Sequence, residues 1–174
     1  MGRNMIRVGQ GLDVHPFDDS RPLILGGVRI SDRGGLRGHS DADVVLHAVT
    51  DALLGAAGAG DIGQHFPSED PKWKDADSAR FIREARTIVA EMKAEIANID
   101  ITIIAEKPRI APHREAIGAA IAKLLDLPRG HVNVKATTTD HLGFIGRGEG
   151  ICAMAIVLLV IPSVSEGPGR VGSL

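Results

Sequence analysis

The chain has 174 residues, 44% of them hydrophobic, the size and composition of one domain around one core. Twenty Lys and Arg face 22 Asp and Glu for a formal charge of −2, which leaves no general electrostatic footprint for nucleic acid and no polybasic membrane anchor. No segment approaches the ~20 apolar residues of a membrane span, the first residues lack a signal-peptide core, and the single Cys152 excludes an intrachain disulfide, so a reducing cytoplasm is expected.

Met5 to Val14 reads as a strand ending at His15-Pro16, because a proline pushes the residue before it into an extended conformation. Residues 22–25 and 28–30 read as short strands around Gly26-Gly27, a hairpin signal. The Gly- and Arg-rich stretch 31–38 reads as a loop. Residues 41–57 form a predicted helix. Ser40 followed three positions later by Asp43 is a capping-box pattern, and Val44, Val45, Ala48, Val49, Ala52 and Leu53 recur at helical period. Gly58 and Gly60 stop it.

Residues 61–74 read as a loop, 78–93 as an amphipathic helix and 99–105 as a β-branched strand. Residues 112–125 make a third helix with Pro112 in its first turn. A strand over 131–138, a Gly-rich connection over 140–150 and a buried strand over 151–161 follow. The stretch 162–174 is Pro-, Gly- and Ser-rich and reads as a flexible tail behind a single domain over 1–161. The N-terminal hairpin breaks a βαβ rhythm, so the expected class is α+β. With 3% aromatics and no Tyr, the core is aliphatic, and stacking surfaces for single-stranded nucleic acid are lacking.

Asp13 and His15 are two apart on an extended segment and point to the same face. A carboxylate oxygen and an imidazole nitrogen can then converge on one cation, although the same pair also suits ordinary hydrogen bonding. His47 lies in the helix that follows, with Asp43 one turn before it and Asp51 one turn after, either of which can orient the ring. Two His and one carboxylate make an open zinc site with a fourth position for substrate. A helix His is equally at home as a satisfied boundary residue.

His39-Ser40 precede the helix, whose first-turn N–H groups suit a phosphate; Ser40 can also serve merely as a cap. Thr137-Thr138-Thr139-Asp140 ends a strand with hydroxyls for phosphate oxygens and a carboxylate for Mg²⁺, or is β-propensity plus a turn. The glycines from Gly143 to Gly150, like Gly9 and Gly11, lack the spacing and the following helix of a dinucleotide fingerprint. Cys152 has no electropositive sequence neighbour and reads as a small buried hydrophobe.

Taken together, Gly-Leu-Asp-Val-His at 11–15, Gly-His-Ser-Asp-Ala-Asp-Val-Val-Leu-His at 38–47, Gly-Asp-Ile-Gly at 60–63, Lys-Ala-Thr-Thr-Thr at 135–139 and Gly-Phe-Ile-Gly-Arg-Gly-Glu-Gly at 143–150 form an ordered set. From about Met5 to Ile161 the chain resembles the 2-C-methyl-D-erythritol 2,4-cyclodiphosphate synthase family of the non-mevalonate isoprenoid route. The resemblance implies a mixed β-sheet with helices packed on one face, assembled as a homotrimer with active sites between subunits. It implies that the 2-phosphate of 4-diphosphocytidyl-2-C-methyl-D-erythritol 2-phosphate attacks the β-phosphorus and CMP leaves.

Carried over residue by residue, the resemblance gives Zn²⁺ to Asp13, His15 and His47, and transition-state stabilisation to His39 and Thr138. Asp140 stands where the family usually has Glu, one methylene shorter, and would hold Mg²⁺ or Mn²⁺. Substrate contacts would come from Asp13, Val14, His15, His39 and Ser40. Asp61, Ile62 and Gly63 would meet the ribose, and Ala105, Arg109, Ile110 and Ala111 the cytosine. Thr137, Thr138, Thr139 and Asp140 would meet the phosphates. Phe66, Pro67, Ser68, Glu69 and Asp70 would form a loop over the substrate. Phe144 and Arg147, with Glu149, would line an axial channel able to hold an isoprenoid diphosphate, beside which Leu12 replaces a frequent Phe. Two other readings fit the residues less closely: a generic zinc phosphoesterase, and a nucleotide- or isoprenoid-binding trimer with structural zinc.

Overall fold

The computed structural model describes residues 4–163. From residue 164 onward, the expected C-terminal tail lies outside the described residues. In chain order the elements are β1 (Met5–Asp18), β2 (Leu23–Leu25), β3 (Val28–Ser31), β4 (Gly35–Leu36), α1 (Val44–Ala57), α2 (Ile62–His65), α3 (Ala79–Glu91), β5 (Glu95–Ile104), α4 (Arg114–Leu125), β6 (Val132–Thr137), α5 (Gly143–Gly146) and β7 (Gly150–Ile161). Five strands form one sheet in the order β4-β1-β7-β5-β6, and β2-β3 make a separate ribbon. Only the β5-β6 pair is parallel, so the sheet is mixed and the class is α+β, as expected.

Several boundaries differ from the sequence reading, each for a local reason. β1 does not end at His15-Pro16. Proline removes a donor but keeps its carbonyl, and Pro16 O accepts from Arg37 N at 2.9 Å while Phe17 N donates to Glu149 O at 3.0 Å. The strand therefore continues to Asp18. Residues 35–36, expected in a loop, pair with Phe17 and Asp18 as β4. α1 begins at Val44 rather than Asp41, and its cap is Asp43, not Ser40. Ala42 has φ of 60°, which no helix interior accepts. Within the expected loop 61–74 lie α2 and a 3₁₀ turn at Pro71–Trp73. The Gly-rich connection contains α5.

One face of the sheet carries the core. Ile99, Ile101 and Ile103 of β5 alternate inward and are fully buried, as are Ala153, Ala155, Val157 and Leu159 of β7. α1, α3 and α4 cover this face with aliphatic side chains including Leu46, Leu53, Ile82, Ile117 and Ile121. Among the described residues, no helix covers the opposite face. There Ile6 is 64% exposed, Val8 62%, Leu12 54% and Ile156 45%. A contiguous apolar sheet face of this kind marks an interaction surface. Among the described residues no helix is long and apolar enough to cross a membrane.

Candidate metal centre

The contact between β1 and α1 builds the site. A Cβ placed on Gly9 would stand 2.0 Å from Ala52 O, and one on Gly11 would stand 2.0 Å from Ala48 O. Glycine at both positions lets the helix backbone lie directly on the strand. Two residues along β1 correspond to about one turn back along α1. The next inward residue, Asp13, therefore faces the first turn of α1, where His47 sits, and His15 follows on the same face.

Asp13 Oδ2 is 3.0 Å from His15 Nε2 and 2.9 Å from His47 Nδ1, and the two nitrogens are 3.1 Å apart. Ligands of a tetrahedral zinc ion, bound at ~2.0–2.1 Å, stand ~3.3 Å from one another. The observed triangle is within a few tenths of an ångström of one face of that polyhedron, so these residues fit the ion. His15 Nδ1 lies 2.8 Å from Arg37 O. Because a carbonyl only accepts, Nδ1 carries a hydrogen, so a neutral His15 turns its Nε2 lone pair to the centre and a protonated one donates from Nε2 to Asp13.

Burial works against ionising Asp13, yet hydrogen bonds from His15 and His47 hold its carboxyl well below the usual range. Burial likewise disfavours protonated His15, but Asp13 beside it raises its pKa above the ordinary value. Among the described residues, this trio is the one group whose donor atoms all lie within 4.8 Å of one another.

Neither acidic neighbour of His47 orients its ring. Asp43 accepts from Val45 N and Leu46 N at 3.1 and 3.0 Å, and from Gly26 N and Gly27 N at 2.8 and 2.6 Å. Burial pushes its pKa up to about 6, against the pull of the Gly27, Leu46 and Gly26 N–H groups. The first-turn N–H groups expected to meet a phosphate are thus partly spent on Asp43. Asp51 accepts from Ile62 N at 2.7 Å and steadies α2 instead.

A cavity of about 180 Å³ opens beside the triad, lined by Asp13, His15 and His47 with His39, Ser40, Ile62, Gly63, Phe66, Ser68, Trp73 and Phe81. Much of the expected metal, ribose and loop set therefore meets in one place. Ser40 Oγ lies 3.1 Å from the outer nitrogen of His47. The Asp61 carboxylate caps α2 through Gln64 N at 2.9 Å, and Asp70 caps the 3₁₀ turn through Lys72 N at 3.1 Å. Pro67 and Glu69 do not line the cavity, and Val14 points to the open face of the sheet.

Sequence reasoning missed the aromatic wall. Of four Phe and one Trp in the chain, Phe66, Trp73 and Phe81 stack with centroids 4.7–5.5 Å apart, and Phe81 is 5.8 Å from His47. Composition averages such a cluster away, and no single period joins a loop to a helix.

The remaining candidate residues gather at the ends of β5 and β6. Ala105 N donates to Thr137 O at 3.1 Å. Glu106, which the sequence did not single out, accepts at Oε1 from Thr139 N, Thr139 Oγ1 and His141 N at 3.0, 3.2 and 3.2 Å. Burial disfavours its charge, but the Thr139 and His141 N–H groups hold its carboxyl below the ordinary value. Thr138 Oγ1 lies 3.4 Å from Asp140 Oδ1. Ile110 is buried, while Arg109 and Ala111 are exposed. Arg109 and Arg147 line a wider cleft of about 860 Å³ that also borders Glu106, His141 and Phe17. Exposed Phe144 stands outside it, and Arg147 pairs with Glu149 at 2.6 Å. β6 is three strands from β1, roughly 14 Å across the sheet. One chain does not bring Thr138 and Asp140 onto the metal triad.

Fold and site together define an α+β domain with a candidate metal site beside a small, partly aromatic cavity. The YgbB family model matches residues 6–160, and the chain belongs to that family. It is 58% identical over 155 residues to the 2-C-methyl-D-erythritol 2,4-cyclodiphosphate synthase of Geobacillus kaustophilus (strain HTA426), covering 89% of this chain and 98% of that protein. The synthase of the same name from Halalkalibacterium halodurans is 58% identical over 156 residues, covering 90% and 99%. Among solved structures, the bifunctional IspDF of Campylobacter jejuni aligns with a TM-score of 0.89 at 45% identity, over 92% of this chain and 44% of that one. The present chain thus spans less than half of that bifunctional protein. A 2C-methyl-D-erythritol-2,4-cyclodiphosphate synthase in its CDP-bound form aligns with a TM-score of 0.80 at 37% identity, over 88% and 99%.

Proposed function

We propose that this chain converts 4-diphosphocytidyl-2-C-methyl-D-erythritol 2-phosphate to 2-C-methyl-D-erythritol 2,4-cyclodiphosphate and CMP, in the non-mevalonate isoprenoid pathway. The observation that carries this reading is the Asp13–His15–His47 triangle, set in a chain that matches synthases of that name along nearly its whole domain. Two imidazoles and a carboxylate suit Zn²⁺, which when bound supplies positive charge to orient and polarise the attacking phosphate. An oxygen of the 2-phosphate forms the new bond to the β-phosphorus as the bond to the CMP oxygen breaks, so no water is consumed. Catalysis is then chiefly positioning and charge stabilisation.

In this reading His39, which lines the cavity beside the triad, donates to the attacking phosphate, and Thr138 binds the phosphoryl group under attack. Asp140 would hold Mg²⁺ or Mn²⁺, which would supply positive charge to the diphosphate. Asp61 to Gly63 take the ribose, and Ala105 with Arg109 to Ala111 take the base. Residues 66–70 close over the substrate, and residues 1–161 form the catalytic domain of a cytoplasmic enzyme.

The assembly in this reading is a homotrimer whose sites lie between subunits. Two features support it: the roughly 14 Å between β1 and β6, and the uncovered apolar face of Ile6, Val8, Leu12 and Ile156. Phe144, Arg147 and Glu149 would then line the three-fold channel, where an isoprenoid diphosphate can sit.

Phosphorus NMR of the cytidylyl substrate with protein, Zn²⁺ and Mg²⁺ tests the reaction. CMP and a cyclic diphosphate in equal amounts are expected. Inorganic phosphate instead would mean a hydrolase, and an unchanged substrate would overturn the reading.

A further inference from the structure

Ser78 immediately precedes α3, yet its hydroxyl makes no cap hydrogen bond. A serine at that position ordinarily spends its oxygen on the N–H groups of the first turn. Here Asp77 accepts from Ala79 N at 2.8 Å instead. The hydroxyl of Ser78, which is fully buried, is directed elsewhere. It donates to Asp41 Oδ1 in a short hydrogen bond. Asp41 Oδ2 also accepts from Ser78 N at 3.1 Å, and Asp43 N donates to Oδ1 at 3.2 Å. An ionised carboxylate only accepts, so the hydrogen of the Ser78 hydroxyl lies toward Asp41.

His47 Nε2 stands 2.9 Å from that same Ser78 oxygen. At this distance one atom must carry a hydrogen between them, and Ser78 has already given its own away. Nε2 therefore carries it. Ser40 Oγ, which accepts from Ala42 N at 3.1 Å, lies 3.3 Å from Ser78 Oγ and can fill its second lone pair. Every polar atom in this buried chain then has a partner. With a cation at the centre and its hydrogen on Nε2, the neutral ring presents the Nδ1 lone pair to the ion, in place of the hydrogen that Asp13 Oδ2 at 2.9 Å otherwise takes from Nδ1.

From this we infer that Ser78 and Asp41 are positioning residues which, through the sequence Asp41–Ser78–His47, fix the ring nitrogen that meets the metal. The inference rests on the triad being a metal site, and it adds two residues outside the ligand set. Hydrogen-bond partners of metal-binding histidines commonly change affinity 10–100-fold when removed.

Asp41→Asn is the sharper variant because it is isosteric and reverses polarity. With the asparagine carbonyl on the Ser78 N–H, its NH₂ turns to Ser78 Oγ and the bond from Asp43 N is lost. The Ser78 hydroxyl then donates to His47 Nε2, and the ring hydrogen moves to Nδ1, where it blocks the metal. Ser78→Ala removes the relay without removing a cap, and it decides the matter if Asp41→Asn does not fold.

The first readout is the histidine ¹⁵N spectrum of Zn²⁺-loaded protein, which distinguishes the ring nitrogen on the metal from the one that keeps its hydrogen. The second is Zn²⁺ affinity by competition with a chromophoric chelator. The wild type is expected to show His47 protonated at Nε2. Asp41→Asn is expected to shift it toward Nδ1–H and weaken Zn²⁺ binding roughly 10–100-fold, and Ser78→Ala to weaken it about tenfold. Variants that keep the wild-type tautomer and affinity would overturn the inference alone. A wild type that takes up no Zn²⁺ would overturn the metal reading as well.

Discussion

The two halves of the candidate site are built differently. The metal half is assembled inside one chain: three donor atoms lie within 3.1 Å of one another, and the outer nitrogens of His15 and His47 both have partners. The half at the ends of β5 and β6 is exposed, tied down by Glu106, and separated from the triad by the width of the sheet. A fold can preorganise a cation site by laying a helix on a strand. Within one chain it leaves β6 three strands from β1.

Substitutions that touch one half and spare the other test this division. The largest effect is expected from His47→Ala, which should lower turnover on the order of a thousandfold, since it removes a metal ligand and its charge stabilisation. Circular dichroism should still report a folded protein; an unfolded one would make the ion structural.

Next is Val8→Glu on the open face of β1, which puts charge on the surface read as the subunit interface. Turnover should fall about a hundredfold with loss of the proposed trimer in sedimentation, while Zn²⁺ uptake stays near wild type, because the triad faces the other way. Monomers that retain full activity would break the comparison.

A smaller change follows from Gly11→Ala. Its Cβ would meet Ala48 O at 2.0 Å, so α1 must move off β1. Urea denaturation should show a loss of about 1–3 kcal/mol, accompanied by weaker Zn²⁺ binding, as His47 moves with the helix.

The least effect is expected from Glu106→Gln, which keeps an acceptor for the 139–141 turn and loses its charge. The folded pKa of Glu106 lies below its unfolded value, so its stabilisation is present at neutral pH and is lost as pH falls through the folded value. Hydrogen exchange at Thr139 and His141 should quicken in acid in the wild type, and the Gln variant should lack that pH dependence.

Much of the metal half was legible in the sequence, and the reason is local. Asp13 and His15 share a face because strands repeat every two residues, and that holds whatever packs above. His47 could be assigned only through its place in the ordered motifs, since its distance from Asp13 depends on how α1 lies on β1. Gly9 and Gly11 set that contact, but a strand glycine shows its use only when the partner backbone is known. The helix start was misplaced because Ser40, Asp41 and Asp43 all suit capping, and the left-handed turn at Ala42 has no sequence signature. Glu106 and Ser78 were not read as site residues, because their partners lie 31 to 37 positions away in the chain.

Coexpression of two inactive chains, His47→Ala and Thr138→Ala, tests most directly whether the halves meet between subunits. Each variant breaks one half and leaves the other whole. In mixed trimers, some interfaces join an intact metal half to an intact phosphate half, so activity should return to about a quarter of the wild-type value. Mixed trimers with no more activity than either parent would contradict a shared site.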